Sequence, residues 1–393
     1  MKAVVLSAQW SPKKDFKLGK KDIDGKLTYL GSRVWRNPQL EMKEIKKPSV
    51  KEDEVLIRVK ACGICGSDVH MAQPDNDGYI FYPGLTAFPV VLGHEVSGVV
   101  EEAGPKAIDK ITGKRYKGGE AVCAEEMFWC AQCRPCADGY PNHCEMLQEL
   151  GFSVDGAFTD YVVINSRYLW SLEPLKKVYD EKNIFTAGSL VEPTCVAYNA
   201  VIERGGGIRA GDNVVILGGG PIGLAAVAIL KRSGASKVII SEPEEGRIKI
   251  AEKMGVTDII NPQKENFAER VLEITNGQGA DLYLEATGLP HIVFPEIEKT
   301  VWEGKALNAR IVIVARADAK IPVTGEILQV RRASIIGAQG HSGHGTFPRV
   351  ISAMAAGMDM TPLSTKKISL DEVPENIIAL RTDRKECKIT AVI

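Results

Sequence analysis

The chain has 393 residues, of which 45% are hydrophobic and 25% charged, and its formal net charge is -1. This composition is typical of a globular protein, and the length suits two domains that each bury a core. The near-neutral charge and the lack of an apolar run of about 20 residues argue against nucleic-acid and membrane partners, so we predict neither.

The first third of the chain is rich in short β-like runs. It opens with MKAVVLSAQW, which has no basic segment followed by a long apolar stretch, so we expect a cytoplasmic protein with reduced cysteines. Residues 11–36 contain six lysines and are expected to form a surface excursion of unassigned role. Glycine and proline interrupt the apolar segments, and this pattern predicts an antiparallel, barrel-like domain from residues 54–63, 88–104 and 158–165.

A first group of candidate metal ligands lies in CGICGSDVH (62–70) and GHE (93–95). Cys65 offers a thiolate and His94 an imidazole nitrogen, which with one carboxylate and one open position would form a catalytic zinc site. The third ligand is left open between Glu95 and Glu192, which could alternate during turnover, with Cys195 as a competing candidate. Each residue taken alone suits a buried structural role, and the joint pattern favours zinc.

Ser67 and His70 follow Cys65 closely. They could carry a proton from a zinc-activated alcohol to solvent through a hydroxyl and an imidazole. Asp68 lies between them and is expected to fix the turn or orient a metal ligand.

Four cysteines with two, two and seven intervening residues form the strongest motif of the chain. Short Cys-x-x-Cys steps allow one loop to supply several thiolates to a tetrahedral zinc ion, which leaves no position for a substrate. Disulfides are the alternative, but a reducing compartment favours a structural zinc. The predicted ligands are Cys130, Cys133, Cys136 and Cys144.

From about residue 183 the chain alternates apolar strands with helical segments, which predicts a parallel, doubly wound sheet. The turn at 214–223 matches G-x-G-x-x-G, between a strand and a helix, and a second strand ends at Glu242. A carboxylate there accepts from the ribose hydroxyls and favours NAD over NADP, a preference that Arg247 weakens slightly. The other predicted NAD-binding residues are Gly218, Gly220, Ile222, Gly223, Thr287 and Gly288.

The domain boundaries follow from these patterns. We expect a catalytic domain at 1–190, completed by 341–393, and an NAD-binding domain at 191–340. The run 337–345 could line the nicotinamide or link the domains, and the pattern does not separate functional from solvent-exposed roles for His341 and His344.

These motifs together resemble the zinc-containing medium-chain alcohol dehydrogenases over nearly the whole chain. CGICGSDVH and GHEVSGVVEEAG resemble the family's two zinc-ligand segments, and the four-cysteine loop resembles its structural zinc lobe. The resemblance implies a GroES-like β-rich domain, a Rossmann domain, an active site in the cleft between them, and a homodimer or homotetramer. VEPTCVAYNAV has a glutamate where simple alcohol dehydrogenases have a cysteine ligand, and in this it is similar to the sorbitol, butanediol and other polyol dehydrogenases. Within that branch, the chain as a whole resembles the bacterial cyclitol (inositol and inosose) dehydrogenases, without a single motif that carries the resemblance.

The expected activity is oxidation of a secondary alcohol of a polyol, sugar alcohol or cyclitol to a ketone, with NAD as hydride acceptor and zinc as Lewis acid. Two alternatives stay open. One is a threonine, simple alcohol or aldehyde dehydrogenase of the same fold, and the other is a zinc- and NAD-binding protein without catalysis.

Overall fold

The computed structural model describes residues 1–393 apart from Asp318, Ser342 and His344, so the question left open for His344 falls outside the described residues. Among the described residues, none of the helices combines the length and apolarity that crossing a membrane requires. Two regions of different architecture pack together, one built on antiparallel sheets and one on a parallel sheet.

The strands of the antiparallel region alternate in exposure or are wholly buried, as their β-branched sequences predict. In β3, for example, Val55, Ile57 and Val59 are buried while Arg58 is exposed. These strands are β1 (Lys2–Trp10), β2 (Trp35–Glu44), β3 (Glu54–Gly63), β4 (Val90–Val91), β5 (Glu95–Ala103), β6 (Ala121–Ala124), β7 (Met127–Phe128), β8 (Gln148–Glu149), β9 (Tyr161–Asn165) and β10 (Leu169–Ser171).

The strands of the parallel sheet are short and almost continuously apolar, as expected for a sheet that helices cover on both faces. They are β11 (Asn213–Leu217), β12 (Lys237–Ser241), β13 (Asp258–Ile260), β14 (Leu282–Glu285), β15 (Arg310–Ile313) and β16 (Ser334–Gly337). Their spatial order is β13-β12-β11-β14-β15-β16, the order of a dinucleotide-binding sheet. The strand order therefore reverses between β11 and β14. Ligands bind such sheets at the carboxyl ends of the strands, near this point.

The carboxyl-terminal segment returns to the antiparallel region. Strands β17 (Ser364–Ile368) and β18 (Lys388–Val392) extend a seven-stranded sheet in the order β10-β6-β5-β3-β18-β17, with β9 also paired to β3. Strand β18 pairs antiparallel with β3, which sets Ala391 opposite Cys62. The last residues of the chain therefore lie against the strand that leads into Cys65.

The helices begin and end where local chemistry predicts. The helix that follows β11 starts with Pro221 at its first position, and the helix after β12 ends at Gly255, whose φ of 90° is left-handed. The α-helices are α1 (Lys20–Asp24), α2 (Gly66–Ala72), α3 (Arg134–Ala137), α4 (Ile184–Ser189), α5 (Val191–Tyr198), α6 (Pro221–Arg232), α7 (Glu245–Met254), α8 (Phe267–Ile274), α9 (Pro290–Glu303), α10 (Gly325–Val330), α11 (Thr346–Ala355) and α12 (Val373–Ala379).

Shorter helical turns complete the chain. They are 3-10 helices at Gly31–Arg33, Pro141–His143, Ser166–Tyr168, Glu173–Lys177, Thr361–Leu363 and Leu370–Glu372, and a π-helix at Asn199–Arg204. The hydrophobic core of the parallel region lies on both faces of its sheet, and a separate core fills the antiparallel region.

Candidate active site and metal centres

The sheet register brings the first group of predicted ligands together. Strands β3 and β5 pair antiparallel with Gly63 opposite Glu95, so the turn after β3 carries Cys65 next to His94 and Glu95 at the start of β5. The ligand atoms of these three residues lie within 4.8 Å of one another. A Cβ on Gly63 would stand 2.0 Å from Oε2 of Glu95, so only glycine allows this approach. The geometry suits one metal ion.

Asp68 supports this cluster from the first turn of α2. Its Oδ2 accepts a hydrogen bond from the Cys65 backbone N–H at 2.8 Å, and its Oδ1 lies 3.8 Å from Nδ1 of His94. Burial lowers the pKa of His94, but Asp68 and Cys65 outweigh it and raise that pKa well above its ordinary value. The surroundings of the ring therefore favour a cation, which zinc would supply.

Lys388 reaches this cluster from β18. Its Nζ lies 2.5 Å from Oε1 of Glu95 and donates to the carbonyl oxygen of Ile64 at 3.0 Å, with both side chains of the ion pair almost fully buried. Oε2 of Glu95 has no hydrogen-bond partner among the described residues, and neither has Nδ1 of His94, which faces Asp68. A thiolate, an imidazole and a carboxylate with an unpaired oxygen fit zinc, so the donor set passes this chemical test.

Glu192 belongs to a second, adjacent group. It lies on α5, and its Oε1 is 3.6 Å from Nε2 of His341, which also lies 3.5 Å from Oε2 of Glu126. The ligand atoms of these three buried residues are within 4.8 Å of one another. Glu192 is thus grouped with Glu126 and His341, and Glu95 is the carboxylate grouped with Cys65. Cys195, the competing candidate, is buried in the hydrophobic core of the parallel region.

Sequence reasoning missed the roles of Glu126 and His341. His341 is fully buried, where the sequence left solvent exposure open, and the Glu126 backbone N–H donates to its Nε2 at 3.2 Å. The two residues are separated by 215 positions, and no local spacing relates them. The one available signal is the pair of adjacent carboxylates in CAEEMFWC, inside an otherwise apolar run.

The two residues proposed for proton transfer lie on α2. Ser67 and His70 are three positions apart and therefore share a helix face. The Ser67 hydroxyl lies 3.7 Å from Sγ of Cys65, so it adjoins the metal-ligand cluster. Burial lowers the pKa of His70, and Arg384 lowers it further, which keeps the imidazole neutral and able to accept a proton.

The four-cysteine loop forms a separate cluster between β7 and β8. The Sγ atoms of Cys130, Cys133, Cys136 and Cys144 lie within 4.8 Å of one another, and all nine cysteines are free thiols. Backbone N–H groups point at the sulfurs: those of Gln132 and Cys133 approach Cys130 at 3.3 and 3.4 Å and lower its pKa to about 6. Loop amides that stabilise thiolates fit a closed four-thiolate zinc site.

The glycine turn after β11 has the shape that a pyrophosphate requires. Gly218 has a φ of 101°, and a Cβ on Gly223 would stand 2.0 Å from the Gly218 carbonyl oxygen. Gly220 precedes α6 and faces open space, while Ile222 is half-buried in the first helical turn. The turn thus leaves room beside a helix amino terminus, where an anion binds favourably.

The other predicted NAD-binding residues surround this turn. Glu242, directly after β12, accepts from the Gly219 backbone N–H at 2.6 Å and lies 4.0 Å from the guanidinium of Arg247. After β14, the backbone N–H groups of Thr287 and Gly288 donate to Oε1 of Glu285. All of these residues follow carboxyl ends of parallel strands, the edge at which dinucleotides bind.

Comparison with known proteins finds matches over both regions of the chain. A family model described as an alcohol dehydrogenase GroES-like domain matches residues 51–174, and one described as a zinc-binding dehydrogenase matches residues 221–356. The chain is 64% identical over 391 residues to a scyllo-inosose 3-dehydrogenase of Thermotoga maritima, with 99% of each chain covered.

Two further matches are informative. An L-threonine 3-dehydrogenase of Bacillus licheniformis is 32% identical over 335 residues, which cover 85% of this chain and 90% of the relative. A solved dehydrogenase structure from Thermotoga maritima is 63% identical, covers 100% of both chains and superposes with a TM-score of 0.97.

These matches confirm three predictions: the fold class of a GroES-like β-rich domain with a doubly wound parallel sheet, the enzyme class, and the cofactors NAD and zinc. The chain therefore belongs to the family of zinc-containing alcohol dehydrogenases, enzymes that oxidise CH–OH groups.

Proposed function

We propose that this enzyme oxidises a ring hydroxyl of a cyclitol of the inositol or inosose type to a ketone, with NAD as acceptor. The observation that carries the proposal is the 64% identity, over 99% of both chains, to a relative named for scyllo-inosose. The glutamate in VEPTCVAYNAV supports a polyol substrate, because Glu192 stands where simple alcohol dehydrogenases have a cysteine; its Oε1 lies 3.6 Å from Nε2 of His341.

The metal sites are assigned in the same proposal. Cys65 and His94 hold the catalytic zinc with Glu95 as third ligand at rest, since its Oε2 is unpaired and lies in their cluster. Glu192 stays the alternative ligand during turnover. The structural zinc is held by the four cysteines of the loop, namely Cys130, Cys133, Cys136 and Cys144. When bound, the catalytic zinc supplies Lewis acidity toward the substrate oxygen, and NAD supplies the hydride acceptor.

The side chains around this centre have distinct tasks. Ser67 takes the hydroxyl proton of the substrate beside Cys65 and passes it to His70, whose lowered pKa leaves it ready to accept. Asp68 holds His94 in one orientation through its Nδ1 side. Lys388 balances the charge of Glu95, which keeps that carboxylate at the site.

NAD lies across the carboxyl edge of the parallel sheet in this proposal. Gly218, Gly220, Ile222 and Gly223 accommodate the pyrophosphate at the start of α6. Glu242 accepts from the adenosine ribose, with Arg247 beside it, while Thr287 and Gly288 line the path toward the nicotinamide.

The proposal extends to organisation and location. We assign the catalytic domain to 1–190 and 341–393 and the NAD-binding domain to 191–340, supported by the return of β17 and β18 to the antiparallel sheet. A homodimer or homotetramer fits the family resemblance, and nine free cysteines fit the cytoplasm.

The test is initial-rate reduction of NAD⁺ by the zinc-loaded enzyme with scyllo-inosose, an inositol, sorbitol, 2,3-butanediol, 2-propanol and L-threonine. We expect the highest kcat/KM with a cyclitol and loss of activity on chelation. A preference for L-threonine would favour the second candidate, which the 32% identical relative supports. Zinc and NAD binding without turnover of any substrate would contradict both.

A further inference from the structure

Two buried glutamates, Glu126 and Glu149, converge beside the zinc-ligand cluster. Strands β7 and β8 pair with Met127 opposite Glu149, and the Leu150 backbone N–H donates to the Glu126 carbonyl oxygen at 2.9 Å. The four-cysteine loop is the connection between these two strands. It therefore closes the hairpin that carries both glutamates, and Glu126 lies close enough to Glu149 to raise the pKa of that carboxyl group beyond the rise that burial causes.

Glu149 has an unused acceptor in this position. Its side chain is only 2% exposed, and its Oε2 has no hydrogen-bond partner among the described residues. A buried carboxylate oxygen without a donor is costly, so such an atom points to a ligand that supplies one. Burial, and then the nearby Glu126, raise the pKa of Glu149 well above its ordinary value, so this pair of carboxyl groups holds protons, and a neutral hydroxyl group, which can both donate and accept, suits it.

Arg316 approaches the same place from the NAD-binding edge. It lies three residues after β15, and its carbonyl oxygen is 3.9 Å from where a Cβ on Gly288 would stand. Its guanidinium Nη1 is 3.3 Å from the hydroxyl of Tyr82. A Cβ on Gly84 would lie 2.6 Å from the same nitrogen, so glycine is needed there for the arginine to reach Tyr82.

Tyr82 connects this arginine to the metal-ligand cluster. It lies in the segment between α2 and β4. This segment folds back on α2, because the Tyr82 backbone N–H donates to the His70 carbonyl oxygen at 3.2 Å. Its ring packs on Phe152 with centroids 5.2 Å apart, and Phe152 packs on His94 at 4.7 Å. Arg316 and Tyr82 thus lie between the nicotinamide edge of the sheet and the zinc ligands, where a substrate must sit.

We propose that Arg316, Tyr82 and Glu149 form a subsite that binds the ring hydroxyls of the substrate remote from the reacting carbon. This inference rests on the proposed cyclitol activity. The guanidinium donates through a planar fork to two neighbouring oxygens, while the carboxyl group and the phenol can each accept from or donate to a hydroxyl group. A polyol ring presents donors and acceptors on adjacent carbons, which this set matches, and a simple alcohol has nothing to fill it.

The test compares R316A and E149L with wild type, using scyllo-inosose and 2-propanol as substrates. R316A loses a hydrogen bond to a charged group and E149L leaves a buried substrate hydroxyl unpaired, so each variant should show a ten- to hundredfold rise in KM for scyllo-inosose and less than threefold change in kcat/KM for 2-propanol. R209A is the matched control, since Arg209 is an exposed arginine before β11, at the opposite edge of the same sheet. It should leave both values unchanged.

Two binding measurements make the result independent of turnover. Calorimetric titration of scyllo-inosose into the enzyme–NADH complex should show the same ten- to hundredfold loss, while zinc content and the Kd for NADH stay at wild-type values. R316K, which keeps the charge and loses the fork, should recover only part of the affinity. This variant also covers the case in which R316A fails to fold.

The outcomes separate the two proposals. The subsite is overturned, and the proposed function is left intact, if wild type turns over scyllo-inosose and the KM and Kd of the variants stay within threefold of the wild-type values. An equal loss for 2-propanol and scyllo-inosose also overturns it, because the residues would then support the site in general. Wild type that turns over only L-threonine overturns the proposed function itself.

Discussion

Replacing Lys388 by methionine removes one partner of a buried ion pair and keeps the approximate volume of the side chain. Nζ of Lys388 lies 2.5 Å from Oε1 of Glu95, and the two side chains are 2% and 1% exposed. Burial lowers the pKa of Lys388, but Glu95 outweighs it and raises that pKa above its ordinary value, so the lysine is charged in the folded protein. K388M therefore leaves a buried carboxylate without its cation.

The magnitude follows from the burial. Removing one partner of a buried pair costs about 3–5 kcal/mol of the free energy of unfolding, because the remaining charge is not compensated. Lys106 and Glu52 provide a control of nearly equal geometry, with 2.6 Å between Nζ and Oε2, but their side chains are 66% and 68% exposed. An exposed pair contributes about 0–1 kcal/mol, so K106M should be nearly neutral.

Urea unfolding of the metal-free proteins, followed by tryptophan fluorescence, measures both variants against wild type, because a zinc ion bound to Glu95 would itself compensate the carboxylate charge. The double variant K388M/E95Q should recover at least half of the K388M loss, because no charge then stays buried. A K388M loss within about 1 kcal/mol of the K106M value would refute the reasoning, since burial would then not determine the strength of this pair.

Three further predictions concern other parts of the molecule. C133A should lower the melting temperature and remove one of two zinc equivalents. C65A should remove the other zinc equivalent and abolish turnover while NAD binding is kept. Loss of both ions in either variant, measured by mass spectrometry, would contradict two independent sites. G223A should raise the Kd for NAD at least tenfold, because its Cβ would meet a backbone oxygen at 2.0 Å. The control G325A has open space around its Cβ and should leave the Kd unchanged. Equal Kd values for the two variants by fluorescence titration would contradict the assignment of this turn to NAD binding. Burial raises the pKa of Glu126 from 4.5 to about 7, so the folded state holds this proton more tightly than the unfolded state does. The free energy of unfolding of wild type should therefore fall by up to about 3 kcal/mol as the pH rises from 4.5 to about 7. Burial also raises the pKa values of Glu149 and Glu192, which contribute a fall of their own, so E126Q should show a smaller fall than wild type in urea unfolding between pH 4.5 and 7.5. A parallel fall of equal size in both proteins would be inconsistent with the assignment.

Short-range patterns predicted a large part of the candidate site. The four cysteines lie within one loop, and the glycines of the NAD-binding turn lie within six residues, so their spacing alone restricts the geometry that they can form. The β-branched and apolar runs likewise predicted a β-rich region followed by a parallel sheet, because strand periodicity and βαβ spacing are local properties.

Long-range pairings were out of reach of this reasoning. Lys388 meets Glu95 only because β18 returns to pair with β3, and His341 meets Glu126 across the contact of the two regions. Arg316 reaches Tyr82 over a sequence separation of 234 residues. No local spacing encodes these contacts, since each depends on how two distant elements pack.

The amino-acid sequence by itself thus predicted which residues are candidates to bind metal and dinucleotide, because those ligand sets are local and chemically specific. Only the tertiary structure decided which carboxylate joins Cys65 and His94, and which charged groups surround the substrate position. The physical reason is that sheet pairing and the packing of the two regions set distances between residues far apart in the chain, and these distances determine the electrostatics of the site.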